Sequence, residues 1–236
     1  MNNLLDLKYL VLTICLATSL NVVSQINPGI YISDIENVRH ELKMTDNYMI
    51  HTIYEQSPAR FIKTEGGFYN IEDSVLNVKL EFNSNYEADT ISTLTIPFAI
   101  RDGQLILGTE PRLVFNHFES IEQELDGQWL FAMRGPDEGQ ERRGDENPRK
   151  TLKYLQDNRF QWIAYNKEER QFIETKGGEY KTDGDQYTEE FHFYSENEEH
   201  VGTSQTFNFE MNDGIWKKRI STTTQSEKDE HEKWSK

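Results

Sequence analysis

Residues 61–69 read Phe-Ile-Lys-Thr-Glu-Gly-Gly-Phe-Tyr, and residues 172–180 read Phe-Ile-Glu-Thr-Lys-Gly-Gly-Glu-Tyr. The likeness extends well beyond these stretches. Laying 46–107 over 157–218 without a gap pairs Asp46-Asn47 with Asp157-Asn158, Tyr54 with Tyr165, Phe82 with Phe193, Phe98 with Phe209 and Asp102-Gly103 with Asp213-Gly214. In all, 16 of 62 positions are identical. An ungapped match with turn residues and aromatics both in phase indicates a tandem duplication, each copy being one folding unit.

Within each copy the apolar residues recur with period two, the signature of half-buried strands. In the second copy the pattern predicts strands near 128–134, 150–155, 159–166, 170–175, 177–182, 186–195, 201–211 and 214–222. Short turns separate them, among them Asp157-Asn158, Asp183-Gly184 and Asp213-Gly214. Links this short join antiparallel neighbours. Each Gly-Gly-x-Tyr stretch reads as a hairpin corner within this series. The fold class expected is therefore all-β, with two tandem antiparallel up-and-down barrels that close their own edges. The first is placed at 25–115 and the second at 126–236. Between them 116–125 forms a linker or short helix, and Gly135–Asn147 forms a polar loop found only in the second copy. The tail from Ser226 is charged except for Trp234.

The first 24 residues read as a secretory signal peptide: Lys8, then an apolar run from Tyr9 to Leu20, then Val22-Val23-Ser24, with cleavage expected after Ser24. No later run approaches the ~20 apolar residues of a membrane-spanning helix, so a secreted or periplasmic protein without a stable membrane anchor is expected. Cys15, the only cysteine, lies in the apolar run with Ile14 before it, which argues against lipid attachment. Cleavage then leaves no thiol for disulfides or metal binding. The net charge of −16 argues against nucleic acid as a partner.

The second copy carries Leu125-Asp126-Gly127-Gln128-Trp129, Arg149-Lys150-Thr151-Leu152-Lys153, Arg159-Phe160-Gln161-Trp162-Ile163-Ala164-Tyr165-Asn166, Gly177-Gly178-Glu179-Tyr180, Tyr187-Thr188-Glu189, Val201-Gly202, Trp216 and Glu232-Lys233-Trp234. As a set these resemble the lipocalin-like (calycin-type) domains of secreted Bacteroidota proteins, most of unknown function. The first copy carries a degenerate form. The chain departs from the family at Lys176, where a third glycine is usual, and at Lys217-Lys218-Arg219-Ile220, where histidines followed by a glycine are usual. The resemblance implies a small barrel whose interior is able to hold a ligand.

Comparing the copies sharpens where that ligand would sit, because alternate strand residues face inward. The inward row Leu76, Val78, Leu80, Phe82 corresponds to Tyr187, Glu189, Phe191, Phe193. On the next strand Leu94, Ile96, Phe98 and Ile100 correspond to Gln205, Phe207, Phe209 and Met211; on the last, Leu105 and Leu107 correspond to Trp216 and Lys218. Three interior positions thus change from aliphatic to polar: Val78 to Glu189, Leu94 to Gln205 and Leu107 to Lys218. The first barrel is expected to be filled. The second is expected to hold a small apolar or amphipathic molecule against Trp129, Phe160, Trp162, Tyr187 and Trp216, with Glu189, Gln205 and Lys218 as polar contacts. Lys218 is the partner expected for Glu189, and Glu189→Val is expected to stabilise the second domain.

No hydrolase elbow, phosphate-binding loop or metal pattern appears, and no cofactor is expected. The six histidines are scattered, with His51 placed in the first interior or at its rim and His192 outward. Two other readings remain. An enzyme would use Glu189 and Lys218 as an acid/base pair, and a cavity-free interaction module would present its surface to another secreted protein or a glycan.

Overall fold

The computed structural model describes residues 25–108, 111–134, 144, 146–219 and 231–236. Residues 1–24, read from the sequence as a signal peptide, most of the expected 135–147 loop and residues 220–230 lie outside the described residues. Two closed eight-stranded antiparallel barrels follow one another, each with its strands in sequence order. The first holds β1 (Gly29–Ile35), β2 (Val38–Met44), β3 (Tyr48–Gln56), β4 (Ala59–Glu72), β5 (Val75–Asn83), β6 (Thr93–Arg101), β7 (Gln104–Leu107) and β8 (Leu113–His117), with one helical turn, α1 (Tyr86–Asp89), between β5 and β6. The second holds β9 (Gly127–Arg134), β10 (Arg149–Gln156), β11 (Arg159–Asn166), β12 (Gln171–Asp183), β13 (Gln186–Tyr194), β14 (Ser204–Asn212), β15 (Ile215–Arg219) and β16 (His231–Ser235).

Tight hairpins set the register. Asp157-Asn158 and Asp213-Gly214 both have two consecutive left-handed residues, at φ 51° and 61° and at φ 51° and 74°. This is the turn geometry whose twist matches that of paired strands. Residues 118–126 are not helical. They cross the end of the second barrel, where Ser120 Oγ donates to Asp157 at 2.8 Å and Gln123 Oε1 accepts from the Thr182 hydroxyl at 2.8 Å.

Two expectations about strands are corrected. The Gly-Gly pairs are not hairpin corners. They lie in the middle of β4 and β12, and neither glycine of either pair has a positive φ. Each pair faces a β-bulge: Gly66 pairs with Phe82 but Gly67 with Leu80, and Gly177 with Phe193 but Gly178 with Phe191, so Glu81 and His192 are extra residues on β5 and β13. A Cβ on Gly67 or Gly178 would run into the backbone oxygen of Lys79 or Glu190. Glycine is needed here for close approach rather than for a turn. Since 170–175 and 177–182 are one strand, the eighth strand comes from the tail: β16 pairs with β15 and β9 and closes the barrel.

The bulges also correct the inward rows. Past the extra residue the alternation flips, so Phe82 and Phe193 face outward and pack between the barrels. Phe82 joins Ile30, Tyr48, Ile50, Leu152, Tyr154, Ile163 and Tyr165 in a buried cluster distinct from the two barrel interiors. The contacts there are pseudo-two-fold. Tyr54 packs on Phe193 at 4.8 Å, the counterpart Tyr165 on Phe82 at 5.0 Å, and Phe61 stacks on its own counterpart Phe172 at 6.1 Å and 8°. Near the centre Gln161 meets its full hydrogen-bonding capacity: it accepts from Lys43 Nζ at 3.0 Å and Thr52 Oγ1 at 2.9 Å, and donates to Thr64 and Thr175 at 3.1 and 3.0 Å. At one side buried Arg159 donates to buried Glu41, which also accepts from Lys43. At the other, the Tyr48 and Tyr165 hydroxyls both donate to Glu81, at 3.0 and 2.9 Å.

Candidate functional site

One end of the second barrel is a closed floor. It carries the β10–β11, β12–β13 and β14–β15 hairpins, and behind them Leu125, Trp129, Leu155, Phe160 and Tyr180 are buried. Trp129 Nε1 donates to Leu125 O at 2.8 Å, and the Tyr180 hydroxyl donates to Asp126. The opposite end, where β9 and β13 finish and β10 and β14 begin, is the mouth. Inward residues nearer the mouth, Trp162, Lys176 and Phe207, are partly exposed, whereas Trp129, Phe160, Tyr187 and Trp216 below them are fully buried.

The middle of the interior is polar and aromatic together. Lys153 Nζ donates to Glu189, the Tyr187 hydroxyl donates to the same carboxylate oxygen at 2.9 Å, and all three are at most 1% exposed. The ammonium of Lys153 also sits 5.2–5.3 Å from the ring centres of Tyr187, Trp216 and Trp234. Burial pushes the Glu189 carboxyl up, but the charges of Lys153 and Lys218 and the Lys153 hydrogen bond outweigh it and hold the group at about 2. Glu189 is thus a fixed carboxylate.

Lys218 is not the hydrogen-bonding partner of Glu189. Its nearest described carboxylate is Glu232, with Nζ to Oε2 at 4.0 Å, and its ammonium lies 3.5 Å from the Phe207 ring centre. Burial together with the like charge of Lys153 pulls Lys218 down to about 8, despite Glu189 and Glu232. Lys176 sits in a cage of Trp162, Phe191 and Tyr194, 5.4–5.5 Å from each ring centre. Burial, and then the Lys153 charge, lower its pKa. Gln205 pairs in register with Glu189 but its side chain is exposed. Of the eight sequence-predicted residues, Trp129, Phe160, Tyr187, Glu189, Trp216 and Lys218 are buried within the barrel, Trp162 is partly exposed near the mouth, and Gln205 lies outside the buried set.

Sequence reasoning missed Lys153, Lys176, Glu232 and Trp234. The first two stand on inward rows, two residues from Leu155 and from Gly178. Glu232 and Trp234 carry part of the family resemblance but were not placed in the site, because they lie in a tail that is otherwise charged. Two buried side-chain donors, Trp216 Nε1 and Trp234 Nε1, have no hydrogen-bond acceptor among the described residues.

The first interior is aliphatic where the second is charged: Val78 and Leu107, the counterparts of Glu189 and Lys218, belong to its apolar core. Its polar side chains lie to one side. His40 Nδ1 is 3.1 Å from His51 Nε2, His51 is 3.8 Å from Glu65, and Lys63 is 2.9 Å from Glu65. Burial and the facing His51 lower His40 to about 4. No group of three or more His, Cys, Asp or Glu placed to hold a metal ion occurs among the described residues. His192, expected to point outward, is the bulge residue and lies 3.3 Å from Arg159.

Two clefts open between the barrels. One, of about 440 Å³, is lined by Tyr48, Phe68, Glu81, Lys150, Tyr165 and Lys236 among others; the other, of about 450 Å³, includes Asp46, Glu122, Asp126 and Asp157. No described helix is long and apolar enough to cross a membrane. Comparison of the chain with protein-family models and with curated proteins gives no match.

Proposed function

We propose that the protein is an exported, lipocalin-like binder of a small amphipathic molecule held in the second barrel, and that it acts without catalysis. The observation that carries this reading is the pair of indole N–H groups, Trp216 and Trp234, buried without an acceptor among the described residues below a partly exposed rim. Buried donors are almost always satisfied, and leaving one unmet costs about 1–3 kcal/mol. An entering oxygen acceptor would relieve that cost. The caged Lys176 and buried Lys218 give the same interior a preference for electron-rich groups, while the aromatic walls favour an apolar body.

The enzyme reading based on Glu189 as a base is weaker. A carboxylate held at about 2 is far from the operating pH at which a general base works best. Native mass spectrometry of the protein purified from its own host tests the binding reading. A small molecule should travel with the chain and leave when Trp216 and Trp234 are both replaced by Phe. A chain that always flies without a companion, and whose tryptophan emission is unchanged by long-chain alcohols, acids and aldehydes, would overturn it.

A further inference from the structure

Strands β15 and β16 place four inward side chains in a two-by-two array. Trp216 pairs with Trp234 and, one inward step toward the mouth, Lys218 pairs with Glu232. The lower pair holds the two indole donors without acceptors among the described residues. The upper pair is an amine and a carboxylate 4.0 Å apart, too far for a hydrogen bond, with the amine against Phe207. Lys153 differs in being hydrogen-bonded to its carboxylate, and Lys176 in having no described carboxylate within ion-pair distance.

We propose that Lys218 captures an apolar aldehyde entering the second barrel as a reversible imine, with Glu232 moving the protons. This rests on the binding reading above. The Lys218 nitrogen lone pair forms a bond to the carbonyl carbon, and the carbonyl π electrons move to oxygen. Glu232 takes a proton from nitrogen and returns it to that oxygen. The nitrogen lone pair then forms the C=N bond as the C–O bond breaks, the hydroxyl leaving as water with a proton from protonated Glu232, and Glu232 regains the remaining proton from nitrogen, so amine and aldehyde give imine and water with no change of oxidation state. The requirement for such chemistry is an amine that is uncharged part of the time, which the low-dielectric interior and the neighbouring Lys153 and Lys176 charges supply.

The test uses the full mature chain with octanal, borohydride as the trap, and peptide mapping. At pH 7 the free-amine fraction of Lys218 is about 300-fold that of an exposed lysine, so its labelling should exceed that of exposed Lys79 and Lys181 by at least about tenfold. Octan-1-ol, which cannot form an imine, should compete with labelling, K218R should lose the label at that position, and E232Q should slow it. Labels spread over exposed lysines, or a Lys218 left unlabelled while octan-1-ol quenches tryptophan emission, would overturn the imine and leave the binding reading standing. If neither compound acts on the tryptophans, both readings fall. Should K218R not fold, the wild-type peptide map alone decides.

Discussion

Glu189→Val removes one half of a buried ion pair and strands the other. Counting only the Val78 counterpart in the first barrel, the substitution should stabilise the second. The structure reverses that sign, because Lys153 donates to Glu189 from inside the barrel and both are about 1% exposed. Holding the Glu189 carboxyl at about 2 instead of the ordinary 4.5 corresponds to about 3 kcal/mol at neutral pH. Orphaning one partner of a buried pair costs about 3–5 kcal/mol, so Glu189→Val is expected to destabilise by that amount. Adding Lys153→Met should recover most of the loss, since a hydrophobic pair of similar volume is often neutral or better. Urea unfolding followed by tryptophan emission, on both single variants and the double, measures the coupling. Because folding lowers the Glu189 pKa, its stabilisation is fully present above about 4.5 and is lost as the pH falls toward 2. The gap between wild type and Glu189→Val should close over that window. A single variant as stable as wild type, or a double no better than the single, would refute the pairing.

Other substitutions probe the scaffold. Gly178→Ala puts a methyl into the Glu190 carbonyl and should cost at least about 1–3 kcal/mol, lowering Tm by several degrees; Gly184→Ala, with open space around a left-handed φ, should cost only the ~1–2 kcal/mol of that backbone conformation. Glu41→Gln deprives buried Lys43 and Arg159 of their shared countercharge and should lower stability by about 3–5 kcal/mol, with calorimetry showing the barrels melting separately. His40 titrates at about 4 when folded, against 6.5 unfolded, so the unfolded chain takes up the proton first and stability should fall as the pH drops from 6.5 to 4. In His40→Gln that share of the slope should vanish; an unchanged profile would exclude a half-buried neutral imidazole.

The barrels were legible because period-two alternation and two-residue turns are local properties, and both occur in each copy. The interior was legible only in part. Alternation assigns a face only where one side meets solvent, and Thr151-Leu152-Lys153-Tyr154-Leu155 is buried throughout: Lys153 and Leu155 face the barrel while Leu152 and Tyr154 face the other barrel. With both faces covered, alternation alone does not single out Lys153 as an interior residue. The bulges at Glu81 and His192 were invisible for a related reason. One extra residue leaves composition and spacing nearly unchanged, yet it turns Phe82 and Phe193 to the opposite side. Among the described side chains of β16, Glu232 and Trp234 are buried, too few to stand out in a charged tail.

The positions at which the copies agree also gain a physical explanation. Tyr54 and Tyr165, Phe61 and Phe172, and Phe82 and Phe193 all meet across the contact between the barrels, where Thr64 and Thr175 both accept from Gln161. The Gly-Gly pairs admit the bulges that turn those phenylalanines outward, and Ser84 and Ser195 accept from the backbone N–H of Thr64 and Thr175 at 2.9 and 3.0 Å. Two copies of one surface meeting about a pseudo-two-fold axis form an isologous contact, in which every change is felt twice unless the partner position changes with it. The departures fit that constraint. Arg159 stands for Tyr48, Gln161 for Ile50 and His192 for Glu81, and together they make one side an Arg159–Glu41 pair and the other a Tyr48–Glu81–Tyr165 cluster. A second first barrel could not replace the second without placing Tyr48 against Glu41 and forfeiting the Arg159 charge. Interior residues meet no counterpart in the other barrel, so Val78 and Glu189 diverged without such a penalty, and that is why the two barrels share an outer face but not an inside.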